Sequence, residues 1–282
     1  MKSLATPDTR NQSPRRTRRA EGRKQAMALN PFPWQQIQPW IVPLSLLIVW
    51  QLFAQFGLMP TRILPAPISI VEAAIKLIQS GELWKHVQIS TWRAFVGFTI
   101  GGGIGLTLGV LNGVFPLAER YLDSSVQMIR NIPHLALIPL VILWFGIGDP
   151  ARIFLVALGV FFPIYINTFY GIRSIDPNLV EMGKVYGLRP RELFWQIILP
   201  GALPSSLVGL RYGLGLMWLT LIVAETIAAS SGIGYMAMNA REFMHTDVVV
   251  LSILLYAVLG KLADSAVRLL ERWWLPWHPS QQ

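Results

Sequence analysis

The sequence predicts an all-α integral membrane protein, on the evidence of its composition and of the length of its apolar segments. Hydrophobic residues make up 53% of the 282 positions and charged residues only 14%, against roughly 25% charged in soluble domains. The apolar residues form blocks that are too long for strands, and long apolar segments cross a bilayer as helices. The chain has no cysteine, which excludes a disulfide framework and a thiol nucleophile.

Residues 1–33 are predicted to form a basic, disordered cytoplasmic tail. Eight of the 24 basic residues lie within the first 24 positions, among Pro, Ser, Thr and Gln, a composition that is typical of disorder. The apolar run starts only near Ile41, so the tail is not a signal peptide. It is either an arm that fixes topology and contacts anionic lipid or a solvated tail without a specific partner. The net charge of +9 therefore does not predict nucleic-acid binding.

Residues 34–282 are predicted to form one transmembrane domain with six spans. Each span is an apolar run bounded by polar or turn residues, at 40–56, 94–114, 133–145, 152–170, 203–224 and 248–262. The third run has only 13 residues, so we expect its helix to start near Val126. Tryptophans typical of membrane interfaces flank the first and last spans, at positions 34, 40, 273, 274 and 277.

Between the first two spans, residues 60–93 are predicted to be a polar connector that contains one amphipathic helix. Apolar residues follow Pro67 at helical spacing, namely Ile68, Val71, Ile75 and Ile78. This pattern indicates a helix at the membrane interface. A simple connecting helix is favoured over a docking role. Residues 116–130 are predicted to be a second polar connection.

The second span carries a stripe of five glycines at intervals of four, Gly97, Gly101, Gly105, Gly109 and Gly113. Small residues at this spacing lie on one helix face and let another helix approach closely in lipid. The stretch does not match G-x-G-x-x-G and follows no soluble strand. It therefore predicts helix packing.

Six spans place both termini on one side, and basic residues decide which side that is. Segments on the side of the N-terminus hold 17 Lys and Arg residues, against 6 on the other side. The N-terminus, the loop 171–200 and the C-terminus are thus predicted to be cytoplasmic.

The loop 171–200 contains the start and stop signals of two short helices. Asp176 is a suitable N-cap before Pro177, and Gly187 is a suitable left-handed end of that helix. A second helix is expected to start at Pro190, and Pro200 is expected to stop it.

The spacing inside this loop resembles the cytoplasmic "EAA" loop of ABC importer permeases. That pattern is Glu, two small residues, three more residues, Gly, nine residues, then Ile-x-Leu-Pro; Met182 and Gly183 replace the usual two alanines. The resemblance implies a coupling helix that docks on a separate ATPase subunit. Its candidate residues are Glu181, Met182, Gly183, Tyr186, Gly187, Ile197, Leu199 and Pro200.

Further stretches resemble the permeases for sulfonates, taurine and nitrate, above all those for aliphatic sulfonates. They include 130–140, 144–146, 215–225, 231–235 and 239–243. The resemblance implies a type I importer fold in a bacterial inner membrane, with a second permease subunit (a homodimer), two ATPases and a periplasmic substrate-binding protein. The substrate is expected to be an organosulfonate, with taurine, nitrate and bicarbonate as alternatives.

The chain shows no catalytic motif of its own. The two Gly-Lys pairs, at positions 183 and 260, are not followed by Ser or Thr, and neither H-E-x-x-H nor G-x-S-x-G occurs. The four histidines are scattered, so no metal site is predicted. The chain is therefore not expected to be an enzyme or to bind a cofactor. ATP and Mg²⁺ are expected to bind to the separate ATPase subunits. An ion-driven carrier would need paired acidic residues deep in the spans, and these are missing.

Polar residues in or near the spans are candidates for the translocation pathway: Arg130, Asn131, His134, Asn167, Arg211, Thr220 and Glu225. Arg211 either attracts an anionic substrate or has a structural role, in a pair or by reaching to the cytoplasmic surface, and the structural role is favoured. Glu225 lies 14 residues further on, about 21 Å along a helix, so Arg211 and Glu225 cannot pair within one helix. We expect Glu225 on the periplasmic side, as a gate or as a helix contact.

Overall fold

The structure is a computed structural model that describes residues 34–57, 60, 63–227 and 229–275. These residues form helices and turns, without a strand among them, which confirms the all-α class. The predicted basic tail, Trp277 and the side chains of Trp34 and Trp40 lie outside the described residues.

The described part of the chain contains ten helical segments, numbered here in chain order. They are α1 (Trp34–Gln55), α2 (Pro67–Gln79), α3 (Glu82–Val114), α4 (Pro116–Arg130), α5 (His134–Phe145), α6 (Asp149–Arg173), α7 (Pro177–Val185), α8 (Pro190–Thr226), α9 (Ile233–Glu242) and α10 (Thr246–Trp274). Two five-residue π turns are built into α4 and α8, at Glu119–Asp123 and Phe194–Ile198, and α5 begins with a 3-10 turn, His134–Leu137.

The chain divides into two units, Met1–Phe53 and Ala54–Gln282. In the first, α1 begins at Trp34, earlier than the predicted residue 40. The apolar part of α1, Ile41–Gln55, is shorter than 18 residues.

In the second unit, four helices are long and apolar enough to cross a membrane: α3, α6, α8 and α10. Helices α4 and α5 pass the same test only as a pair, and they are bent by 80° at residues 131–133. The break falls at Pro133, since the residue before a proline is disfavoured in helix. The described residues thus hold four spans, or five with the bent pair, and the six-helix count stays a prediction.

Two connectors predicted as polar links are largely helical, which corrects their assignment. Residues 116–130 form α4, and α3 starts at Glu82, 12 residues before the predicted start of the second span. The polar first turns of α3 continue as helix because side chains such as Ser90 and Arg93 find buried partners on other elements. The amphipathic helix predicted behind Pro67 is confirmed as α2.

The core forms where α6 packs along both α3 and α8. The glycine stripe of α3 faces α6, as predicted. A Cβ at Gly105 would lie 2.6 Å from the backbone oxygen of Phe161, and one at Gly109 would lie 2.9 Å from the Thr168 side chain. Side chains larger than hydrogen would separate the two helices at these positions.

The second unit has two polar ends. The loop end carries the α6–α8 connection, and there Arg173 of α6 pairs with Glu119 of α4 at 3.3 Å. The opposite end, called the far end below, joins the start of α6 to α3 and to the end of α8 through Arg93, which contacts Asp149 and Glu225.

Candidate functional site

The segment between α6 and α8 forms a helical hairpin, residues 174–198, at the loop end. The Asn178 amide donates to Asp176 Oδ1 at 2.9 Å, so Asp176 caps α7 as predicted, with Pro177 as the first helical residue. Gly187 has φ +80°, and the amide of Leu188 donates to the oxygen of Gly183 at 3.0 Å. This bond closes α7 with the left-handed glycine that its sequence predicts.

The second arm of the hairpin starts at Pro190, as predicted, and the Arg189 amide donates to Glu192 Oε2 at 2.8 Å. The prediction that Pro200 stops this helix is wrong. Helix α8 runs unbroken for 37 residues, because the π turn Phe194–Ile198 comes directly before Leu199 and Pro200. In a regular helix the proline ring clashes with the carbonyl four residues earlier, and the wider turn makes room for it.

Gly183 is the contact point between the two arms. It is buried, and a Cβ there would lie 2.7 Å from a terminal methyl of Leu193 and 2.7 Å from one of Ile197. The departure from alanine at position 183 thus allows two bulky side chains to close over α7. The hairpin is held by its own apolar packing.

On the outer side of α7, large apolar side chains are open. Val185 is 86% exposed and Tyr186 80% exposed, and Met182 is also exposed. Glu181 is exposed beside them, whereas Leu199 and Pro200 are half-buried at the start of the membrane part of α8. We call Met182, Val185 and Tyr186 the outer face of the hairpin. Exposed apolar side chains clustered on a polar loop are typical of surfaces that contact a protein or a membrane.

The pathway candidates are mostly spread out. Only His134 and Thr220 are brought together, with Nε2 and Oγ1 3.2 Å apart. Gly159 permits this approach, since a Cβ there would lie 2.7 Å from Thr220 Oγ1. Arg130 and Asn131 are exposed at the end of α4.

Asn167 and Arg211 make contacts between or within helices. The Asn167 side chain donates to the Pro163 oxygen at 2.8 Å, and its backbone oxygen accepts from Ser205 Oγ at 2.8 Å. Arg211 donates to Glu271 Oε2 at 2.6 Å and lies 3.4 Å from Asp264. Arg211 is therefore in a structural pair with α10, one of the two structural roles that the sequence favours.

Glu225 is fully buried at the far end and accepts hydrogen bonds from four donors on three helices. Its donors are Arg93 Nη1 at 2.8 Å, Ser90 Oγ at 2.8 Å, the Gly234 amide at 3.0 Å and Tyr256 Oη at 3.1 Å. The sequence pattern alone places Arg93 in a connector and does not identify it as a site residue. The signal was its helical spacing: Ser90, Arg93 and Gly97 lie on one face of α3.

No group of three or more His, Cys, Asp or Glu residues that could hold a metal ion occurs in the described ranges.

Comparison with known proteins gives consistent matches. The family model described as "Binding-protein-dependent transport system inner membrane component" matches residues 101–275. The chain is 62% identical over 245 residues to the putative aliphatic sulfonates transport permease protein SsuC of Escherichia coli K12, covering 87% of this chain and 93% of that protein. It is 48% identical over 242 residues to the Bacillus subtilis 168 protein of the same name, covering 86% and 88%.

Among solved structures, the chain is similar to one described as an amino acid ABC transporter with histidines. The TM-score is 0.57 at 17% identity, over 73% of this chain and 97% of that chain. At this identity the similarity concerns the fold alone, and it agrees with the type I importer permease fold that the sequence predicts.

Proposed function

The chain belongs to the family of binding-protein-dependent transport system inner membrane components, and we propose that it is the permease subunit of an ATP-driven importer for aliphatic sulfonates. Within that importer it contributes membrane helices and the hairpin 174–198. It has no catalytic role of its own. The observation that carries the mechanism is the exposed apolar outer face of that hairpin, on the segment whose spacing resembles the EAA loop.

The hairpin connects its outer face to the membrane helices α6 and α8, so it can transmit movement from that face to them. Its second arm is continuous with the membrane part of α8, which extends over 37 residues, about 55 Å at 1.5 Å per residue. Its first arm follows α6 after only three residues, 174–176. Gly183 packs the arms together, so a force applied to Val185 or Tyr186 reaches two membrane helices through short connections.

The energy source in this mechanism is a pair of cytoplasmic ATPase subunits that bind ATP and Mg²⁺. The sequence lacks a P-loop, and a partner that supplies one needs a docking surface such as the outer face. ATP binding closes the ATPases, displaces the hairpin and shifts the spans between inward- and outward-facing states. A second copy of the permease completes the pathway, as a homodimer.

The membrane orientation follows from the same assignment. A hairpin that meets an ATPase lies in the cytoplasm, as do both termini, and the excess of basic residues on that side supports this orientation. The far end then faces the periplasm and receives substrate from a binding protein. The membrane is the bacterial inner membrane.

The substrate is an aliphatic sulfonate. The support is the high identity to two proteins whose names specify aliphatic sulfonates. Taurine, nitrate and bicarbonate are the alternatives for the same machinery.

The test is uptake by proteoliposomes that contain the permease, its ATPase and its binding protein. We expect labelled alkanesulfonate to accumulate when ATP is present. Unlabelled taurine, nitrate or bicarbonate should reduce this uptake only weakly. Uptake that persists without the ATPase and collapses on addition of a protonophore would instead identify an ion-driven carrier.

A further inference from the structure

The far end contains a cavity that the hairpin and its coupling role do not use. Its volume is about 610 Å³. Two arginines and one carboxylate line it, Arg93, Arg152 and Asp149, together with the serines Ser230 and Ser231. Cationic and hydroxyl donors around one open space form a lining that suits an oxyanion.

The charges around this cavity are balanced but unequally exposed. Arg93 is 2% exposed and Arg152 5% exposed. Glu225, which pairs with Arg93 behind the cavity, is also buried. The Asp149 side chain is 52% exposed, so it is the one member of the four-charge group whose charge stays in contact with water if another anion takes its place beside the arginines.

Asp149 bridges the two arginines through a single oxygen. Its Oδ1 accepts from Arg93 Nε at 2.8 Å, lies 2.7 Å from Arg93 Nη2 and accepts from Arg152 Nη1 at 3.3 Å. One carboxylate oxygen thus meets three guanidinium nitrogens. A ligand with three oxygens on one centre offers these nitrogens more acceptors than Asp149 does.

We propose that this cavity is an entry site for a tetrahedral oxyanion, in which Asp149 is the resident counter-ion that the sulfonate group of the substrate displaces. The exchange is neutral in charge, because the sulfonate brings one negative charge as the carboxylate leaves. An isolated buried arginine would be costly, and neither state of the site contains one. Ser231 Oγ accepts from Arg93 Nη2 at 3.0 Å, and its own hydroxyl proton stays available for a sulfonate oxygen.

Competition by Asp149 also lowers the affinity of the site for the anion. A low affinity is suitable for a site on a transport path, because the ligand must leave as well as enter. The identity of the anion rests on the proposed function. The existence of an oxyanion site does not, so the two are tested separately.

The first experiment uses the permease alone in nanodiscs, and measures thermal unfolding with methanesulfonate and with its neutral analogue dimethyl sulfone. Removing the competing charge in Asp149→Asn should tighten methanesulfonate binding by about tenfold or more, seen as a larger concentration-dependent rise in Tm than for the wild type. Dimethyl sulfone should have no effect on either. Arg152→Gln should lose the response to methanesulfonate.

Arg241→Gln is the matched control, because Arg241 is an exposed arginine on α9, outside the cavity lining. It should respond to methanesulfonate as the wild type does. Equal responses of Asp149→Asn and the wild type, or equal effects of the two ligands, would overturn the oxyanion site. If Asp149→Asn does not fold, the decision passes to the second experiment.

The second experiment uses the complete transporter in proteoliposomes. Arg152→Gln should reduce alkanesulfonate uptake about tenfold or more, while the ATPase still co-purifies with the permease; Arg152→Lys should restore part of the uptake. A general folding defect would lower co-purification of the ATPase as well. If the wild type takes up alkanesulfonate and the uptake by Arg152→Gln equals that by Arg241→Gln, the proposed entry site is wrong and the proposed function stands. If the wild type moves no sulfonate, the proposed function fails, and the nanodisc measurement decides the oxyanion site.

Discussion

The Arg93 guanidinium donates a 2.8 Å hydrogen bond to the Glu225 carboxylate, 132 residues further along the chain, with both side chains almost fully buried. The pair joins α3 to the end of α8. A buried ion pair is strongly destabilised by removing one partner, whereas removing both is often tolerated.

This pair predicts a non-additive mutant cycle. Glu225→Gln alone should lower the free energy of unfolding, by at most roughly 3–5 kcal/mol, because Arg93 loses its buried counter-charge and keeps only the half-exposed Asp149. The double variant Arg93→Gln/Glu225→Gln should be more stable than the sum of the single effects predicts. Denaturant unfolding of the four proteins in the same lipid measures the coupling, and strict additivity would show that the pair does not interact.

The glycine stripe predicts a position-dependent effect of a single methyl group. Gly105→Ala places a Cβ 2.6 Å from the Phe161 backbone oxygen, which should cost about 1–3 kcal/mol through overpacking of α3 against α6. Gly103→Ala is the matched control, because a Cβ there has nothing within 4 Å. It should be neutral or slightly stabilising in thermal unfolding. A loss of stability in Gly103→Ala equal to that in Gly105→Ala would argue against close helix contact as the cause.

The left-handed glycine at the end of α7 predicts that a substitution there uncouples ATP hydrolysis from uptake. Gly187→Glu puts a side chain at φ +80°, where a residue with a Cβ loses about 1–2 kcal/mol, although no neighbouring atom blocks it. The hairpin should shift, so that ATP hydrolysis no longer drives uptake while membrane insertion is kept. Gly187→Asn should be milder, since asparagine tolerates this conformation. Uptake and ATPase rates in the same vesicles check this, and wild-type uptake by Gly187→Glu would contradict the coupling role.

The caps of the hairpin could be predicted from sequence because they depend on neighbours in the chain. Asp176 and Gly187 act within a few residues, and both are where their residue types predict. The glycine stripe was also predictable, since its four-residue period is a property of one helix.

The errors have different physical causes. Pro200 was expected to end a helix, but the π turn before it lets α8 continue, and the sequence carries no local sign of that turn. Arg93 was assigned to a connector because its partners, Glu225 and Asp149, lie on other elements. A charged residue at the edge of an apolar span is informative only once the helix facing it is known.

The outer face of the hairpin gives the most direct test of the coupling role. The measurement is ATP-driven uptake of labelled alkanesulfonate by proteoliposomes with Val185→Asp in place of the wild type, together with co-purification of the ATPase. The control Lys184→Gln changes the net charge by the same amount at an exposed position next to it in the helix, off the outer face. We expect Val185→Asp to lose both uptake and the bound ATPase, because a charge would enter an apolar contact, and Lys184→Gln to keep both. Wild-type uptake and ATPase retention in Val185→Asp would contradict the account.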